Sequence, residues 1–211
     1  MADILQAIAS NLYNGEDQEV SSLVQQALDQ GMAPGEILSG GLIAGMDEVG
    51  KDFKAGELFV PEVLIAARAM HAGMAVLRPL LAESDTPSAG KYVIGTVKGD
   101  LHDIGKNLVR MMVEGAGFET IDLGTDVSAE GFVAAVREHQ PELLGMSALL
   151  TTTMVQMKTI IEALEEAGLR DSVKIMVGGA PVTAAFAEEV GADAYAPDAA
   201  TAVDVARDLA G

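Results

Sequence analysis

Between Pro61 and about Leu81, apolar side chains recur at Val63, Leu64, Ala67, Met70, Met74 and Leu77. Steps of three and four place them along one stripe of a helix. The same period governs everything before it. Asp3–Leu12 reads as a short amphipathic helix and Asp17–Gln30 as a second, closed by Gly31. Pro34 suits the first turn of a third, running towards Phe53, and a turn at Ala55-Gly56 leads into the fourth. Four helices with short connections predict an antiparallel bundle. The small, polar run Glu83–Gly90 then predicts a linker, which sets expected domains at residues 1–86 and 90–211.

After the linker the period changes. Short apolar runs at Tyr92–Val97, Glu119–Leu123, Leu143–Ser147, Lys174–Val177 and Ala194–Ala196 read as strands. Helical patterns fill the gaps at Ile104–Gly115, Ser128–His139, Met154–Ala167, Thr183–Val190 and Thr201–Ala210. Strand and helix in alternation predict an α/β fold: a flavodoxin-like (Rossmann-like) five-stranded parallel sheet, preceded by the four-helix bundle. Ligands of such sheets sit beyond the C-terminal strand ends. Three unusual segments fall there: Gly99–Gly105, Ser147–Thr153 and Gly178–Pro181.

Composition narrows the chemistry. The 211 residues contain no cysteine, so thiolate metal sites are excluded and a reducing compartment suits the chain. Thirteen basic residues against 32 acidic ones give a formal charge of −19, which repels nucleic acid and anionic membrane surfaces alike. The start, MADILQAIAS, lacks the basic and apolar regions of a signal peptide. The most apolar stretch, Phe59 to Leu81, carries Glu62, Arg68, His71 and Arg78, too much charge for a membrane span. The expectation is a cytoplasmic protein without nucleic-acid or membrane partners.

The loop Val97–Val109, VKGDLHDIGKNLV, follows the first strand and opens a helix through two glycines, the grammar of a phosphate site. It is not a P-loop: five residues separate Gly99 from Gly105, and Asn107 follows Lys106 where a hydroxyl is needed. The spacing of Gly95, Gly99 and Gly105 fails a dinucleotide fingerprint. Zinc is disfavoured because the other histidines, His71 and His139, lie on helices elsewhere. On pattern alone, His102 is also readable as a residue capping helix 104–115, with Asp100 and Asp103 as solvated acids. Gly178-Gly179 and Thr151–Thr153 are readable as an ordinary turn and an N-cap cluster.

Asp100-Leu101-His102-Asp103-Ile104-Gly105 matches Asp-x-His-x-x-Gly, the signature of cobalamin-binding domains. Ser147-Ala148-Leu149 matches that family's Ser-x-Leu after the third strand, and Gly178-Gly179 its glycine pair after the fourth. Gly45-Met46-Asp47-Glu48-Val49-Gly50 through Phe59-Val60-Pro61-Glu62-Val63 resembles the helical cap ahead of that domain in methionine synthase and corrinoid methyl-carrier proteins. The resemblance covers almost the whole chain. It is nearest to the stand-alone corrinoid proteins of methylamine, methanol, methoxyaromatic and betaine methyltransferase systems.

The resemblance implies a bound cobalamin (methylcobalamin or a related corrinoid), with His102 as lower axial ligand to cobalt in place of the cofactor's own base. Asp100 would hold the other ring nitrogen and Thr153 would hold Asp100. Gly99, Asp103, Ile104, Gly105, Ser147, Leu149, Thr151, Gly178, Gly179 and Ala199 fall where the family binds the cofactor and its nucleotide tail. Phe53, Val60 and Val63 match the cap over the upper corrin face, while Ser39 departs from a cofactor-contacting glutamate of methionine synthase. The implied function is to carry a methyl group on cobalt between a substrate-specific methyltransferase and a folate- or thiol-linked acceptor methyltransferase, with a reductive activator protein as a further partner. A carrier of this kind does not turn over alone. Rival readings are a cobalamin-dependent regulator, for which no basic helix-turn-helix is present, and the small subunit of a cobalamin mutase, which usually lacks the bundle.

Overall fold

The computed structural model describes residues 2–82 and 89–211. Most of the expected linker, residues 83–88, lies outside them. The chain divides into two compact units, with the boundary at residue 88.

The first unit is helical: α1 (Ala2–Tyr13), α2 (Asp17–Asp29), α3 (Pro34–Ile37), α4 (Ala44–Ala55) and α5 (Val60–Ala82). The expected third helix is a continuous rod from Pro34 to Ala55, but its middle, Leu38–Ile43, is π-helical and separates α3 from α4. The rod lies very close to α1. A Cβ at Gly41 would come 3.0 Å from Ile8 Cγ2, and one at Gly45 would come 2.9 Å from the Ala9 carbonyl oxygen. Missing side chains therefore set the helix spacing here. The rod ends at Gly56, whose φ of +78° lets the Gly56 and Glu57 amides turn back onto the Phe53 and Asp52 carbonyls. α5 is long and apolar enough to cross a membrane by length and composition. Its apolar stripe is instead bundle core, with Val63, Ala66, Ala67, Met70 and Leu77 buried, while Arg68 pairs with Asp17 at 3.0 Å.

The second unit is a parallel sheet in the order β2-β1-β3-β4-β5, the flavodoxin-like arrangement. Its strands are β1 (Lys91–Thr96), β2 (Glu119–Asp122), β3 (Leu143–Ser147), β4 (Lys174–Gly178) and β5 (Ala194–Ala196). Between them run α6 (Ile104–Gly115), α7 (Ala129–His139), the short α8 (Thr151–Met154), α9 (Gln156–Glu166) and α10 (Ala184–Val190), and α11 (Ala199–Ala210) closes the chain. On one face Val93, Leu144, Met146, Ile175 and Val177 pack against Phe132, Val136, Met157, Ile160 and Leu164 from α7 and α9. Strand alternation turns Tyr92, Ile94, Thr96, Leu143, Gly145 and Met176 to the opposite face, where all are buried. Burial on both sides is why these strands read as unbroken apolar runs. The neighbours β1 and β3 flank the point where strand order reverses, the position at which such sheets take ligands.

Candidate functional site

The loop from β1 to α6 is built around a fully buried carboxylate. It begins with a turn in which the Asp100 amide donates to the Val97 carbonyl (3.1 Å). Gly99 takes the left-handed conformation that this turn needs (φ +82°), and its amide donates to Asp126 Oδ1 at 2.7 Å. Thr96, also buried, donates through Oγ1 to the His102 carbonyl at 2.9 Å and fixes the far side of the loop.

Asp100 is 0% exposed, which corrects its reading as a solvated acid. Oδ1 accepts from the His102 amide (3.1 Å) and lies 2.6 Å from His102 Nδ1. Oδ2 accepts from Thr153 Oγ1 (2.6 Å) and from the amides of Leu149 (2.8 Å) and Leu150 (3.3 Å). Burial alone would favour the neutral acid. The hydrogen bonds from Thr153, Leu149 and His102 outweigh it and hold this carboxyl far below the usual carboxylate range. An ionised carboxylate only accepts, so the Nδ1 contact places the ring proton on Nδ1. In the neutral ring Nε2 then keeps its lone pair, on a side chain that is 51% exposed. His102 is therefore an aimed imidazole and not a helix cap.

Around it stand large apolar side chains in the open. Leu101 is 73% exposed and Ile104 79%, and Leu149, Leu150 and Val155 are exposed as well. Gly105 adds bare space: a Cβ there would meet nothing within 4 Å. A single basic nitrogen in a broad apolar rim fits one axial bond to a metal that brings its own planar macrocycle. It does not resemble a polyhedral protein cage.

The structure brings Asp100, His102, Thr153, Gly99, Asp103, Ile104, Gly105, Leu149 and Thr151 to this end of the sheet. Asp103 is exposed, its Oδ2 accepting from Asn107 Nδ2 at 3.2 Å. Thr151 opens α8, exposed. Ser147 ends β3 in register with Gly178. The glycine pair has reasons of its own: a Cβ at Gly179 (φ +126°) would fall 1.9 Å from the Ala148 carbonyl oxygen, and one at Gly178 3.0 Å from that of Ala196. Backbone packing thus excludes a side chain at Gly179 and leaves little room for one at Gly178. Ala199 is buried at the first turn of α11, which starts two residues earlier than expected because Asp198 caps it, accepting from the Thr201 amide at 2.7 Å.

The cap candidates lie in the helical unit. Phe53 is half-buried on α4 and Val60 opens α5 with 36% exposure. Val63 is fully buried, a core side chain rather than part of a presented face. Exposed instead are Phe59, Leu64 and Ile65, and Leu64 was expected in the buried stripe. The Ser39 hydroxyl bonds back to the Gly35 carbonyl at 2.9 Å.

Two parts of the site carried no sequence signal. Asp126 holds positive φ (+56°) to reach Gly99, and its amide donates to the Asp100 carbonyl at 3.0 Å. Lys106 is 3% exposed with its ammonium on Asp122. Polar partners this far apart in sequence leave no periodicity to read.

Residues 90–204 match the family described as the B12 binding domain, and residues 4–78 match a second family of the same description. The chain belongs to the B12-binding proteins. It is 46% identical over 208 residues to the dimethylamine corrinoid protein of Methanosarcina barkeri, covering 98% of this chain and 97% of that one. It is 47% identical over 204 residues to trimethylamine corrinoid protein 1 of Methanosarcina acetivorans, covering 95% and 94%. Among solved structures, the methanol:cobalamin methyltransferase complex from Methanosarcina barkeri contains a chain that superposes with a TM-score of 0.89 at 31% identity. That match covers 99% of this chain and 80% of the other.

Proposed function

We propose that this protein binds a corrinoid and carries a methyl group on its cobalt between a substrate-specific methyltransferase and a second, acceptor methyltransferase. The observation that carries the reading is the aimed His102 imidazole, set by buried Asp100 within an exposed apolar rim. Support comes from relatives of nearly equal length that are named as corrinoid proteins of methylamine systems.

When bound, the corrinoid supplies the cobalt centre that takes up and releases the methyl group. His102 would hold the cobalt through Nε2. Asp100 fixes the proton on Nδ1 and raises the basicity of Nε2, and Thr153 with the Leu149 and Leu150 amides keeps Asp100 in place. Leu101, Ile104, Leu149, Leu150 and Val155 would exclude water from the bound group on the His102 side. Residues 90–211 form the cofactor domain in this reading. Residues 1–86 form the cap domain, which contributes Phe53 and Val60. The chain needs its two methyltransferases, and a reductive activator, to complete a cycle in the cytoplasm.

The test is the absorption spectrum of the apo chain reconstituted with cobalamin. Wild type is expected to bind it with the cofactor's own base displaced and an imidazole on cobalt. His102→Ala is expected to lose that imidazole signature. Absence of binding, or identical axial-ligand spectra in both proteins, overturns the assignment.

A further inference from the structure

The loop that carries Asp100 is held from both strands beside β1, which lies between β2 and β3. From the β3 side, Thr153 and the Leu149 and Leu150 amides grip the carboxylate at Oδ2. From the β2 side, residues 124–127 grip the backbone. The Thr96 amide donates to the Gly124 carbonyl and the Val127 amide to the Thr96 carbonyl, both at 3.0 Å, so β1 stays paired beyond the end of β2. Asp126 takes hold further along the loop. Its Oδ1 accepts the Gly99 amide at 2.7 Å, and its own amide donates to the Asp100 carbonyl at 3.0 Å. The pair Gly99-Asp100 is thereby bracketed at its first N–H and its last C=O.

The backbone of Asp126 is shaped for this contact. Among the described residues, Asp126 and Gln140 are the non-glycine residues with positive φ. Gln140 closes α7, an ordinary place for that conformation. Asp126 closes no helix, and a left-handed residue within a loop costs energy unless its surroundings hold it there. They do so on both sides: the Gly124 amide is tied to Asp122 Oδ1 at 2.9 Å, and Ser128 caps α7 by accepting the Gly131 amide at 3.3 Å. Asp126 and Gly99 are both exposed, so water would satisfy the Gly99 amide if the carboxylate were removed. The contact therefore gives the fold little stability. What it gives is direction. Thr96 Oγ1 already holds the His102 carbonyl, and Asp126 fastens the other end of the segment Gly99–His102.

We propose that Asp126 is a positioning residue for His102: by bracketing Gly99-Asp100 it aims the Asp100 carboxylate at Nδ1, and so keeps Nε2 the ring nitrogen that carries the lone pair. The consequence at cobalt rests on the corrinoid reading above; the consequence in the apo chain does not. Ligands and the groups behind them must be held within about 0.5 Å of their working geometry, and a bracket on the backbone serves that end.

Two substitutions separate acceptor from backbone shape. Asp126→Gly keeps the left-handed conformation and removes the acceptor, whereas Asp126→Asn keeps both. Long-range proton–nitrogen correlation spectra of the full apo chain, in mildly alkaline buffer, read which ring nitrogen bears the proton. His102→Ala assigns the signal among the three histidines. Asp126→Gly is expected to raise the share of the Nε2–H tautomer about fivefold, less than the roughly 10- to 100-fold effect of losing a ligand's direct partner. Asp126→Asn should match wild type, and the denaturation midpoint of Asp126→Gly should stay nearly unchanged. Titration with cobalamin should show axial ligation weakened by the same factor in Asp126→Gly and restored in Asp126→Asn. A wild-type tautomer ratio in Asp126→Gly, with or without a loss of stability, overturns the proposal, as does an Asn variant no better than Gly. If the apo spectra change as expected but no variant, wild type included, binds cobalamin, the positioning role stands and the corrinoid reading falls.

Discussion

Asp100 and Asp122 stand on the two sides of the segment that runs from the β1 loop into α6, and each is tied to it by a nitrogenous side chain. Asp122, at the end of β2, takes the Lys106 ammonium and the Gly124 amide (2.9 Å), with Arg110 Nε 3.9 Å away. Asp100 takes a hydroxyl, three backbone amides and the His102 ring, none of them a fixed cation. In both, burial opposes ionisation and hydrogen bonding overcomes it, leaving each carboxyl below its ordinary value. At Asp122 the negative charge is cancelled inside the protein. At Asp100 neutral dipoles stabilise the charge without cancelling it, so it still acts on the imidazole. One carboxylate anchors a helix, and the other polarises a ligand.

Removing the anchor is expected to have the largest effect. Asp122→Asn leaves the Lys106 ammonium, 3% exposed, without its counter-charge. Stranding a buried charge costs about 3 kcal/mol, measurable by denaturant unfolding of the apo chain. Lys106→Met on that background should recover most of the loss, since it removes the orphan. The pH dependence has a definite sign. Because the folded Asp122 value is lowered, its contribution is fully present above the unfolded carboxylate value, about 4. The contribution fades as pH falls through the lower folded value, so wild type and Asp122→Asn should converge in acid.

Removing the polarising carboxylate comes next. Asp100→Asn keeps the shape but replaces an acceptor by an amide, one of whose ends must face a donor. Altering the group behind a ligating histidine typically costs roughly 10- to 100-fold in metal affinity. Titration with cobalamin, following the imidazole-on-cobalt absorption, should show that weakening. Wild-type axial ligation in Asp100→Asn would erase the contrast with Asp122.

Much of this was readable beforehand. α6, β3 and β5 fall on the expected residues because each is a periodic run closed by a local signal, such as the glycine that ends α6. Asp100, His102 and Thr153 came from the motif match. What stayed hidden depends on distant partners. Lys106 reads as a surface residue until Asp122 is placed beside it. The expected helix Met154–Ala167 is α9, Gln156–Glu166, and a separate short α8 precedes it, with Thr153 drawn onto Asp100. The π-helical turn at Leu38–Ile43 suits the close packing of Gly41 on Ile8, a tertiary fact. Local rules reached most elements; the Lys106–Asp122 ion pair and the short α8 needed the fold.

A smaller effect is expected where a single donor to Asp100 is lost. Thr153→Ala removes the 2.6 Å hydroxyl contact but leaves the Leu149 and Leu150 amides in place. Deleting one hydrogen bond to a charged group costs about 2 kcal/mol, seen as reduced apo stability and partly weakened axial ligation. Thr153→Ser restores the hydroxyl and should recover the ligation. Failure of Ser to do so would mean that the methyl group matters and not the hydrogen bond.

The smallest expected effect sharpens the comparison within the first turn of α6, where Ile104 and Lys106 stand two positions apart with their usual environments exchanged. The isoleucine is 79% exposed and the lysine 3%, against the normal preference of both residues. The lysine is explained by Asp122. No contact among the described residues accounts for the isoleucine, whose apolar surface gains when a ligand covers it. Ile104→Ala is therefore expected to shift apo stability by less than about 0.5 kcal/mol, as exposed substitutions do. The same change should weaken corrinoid binding by about 1 kcal/mol, roughly fivefold, because the lost apolar area is buried only in the complex. Parallel denaturation and cobalamin titration separate the two. A loss of apo stability equal to the loss of binding would show that Ile104 serves the fold, like Lys106, and that the apolar rim around His102 is not a binding surface.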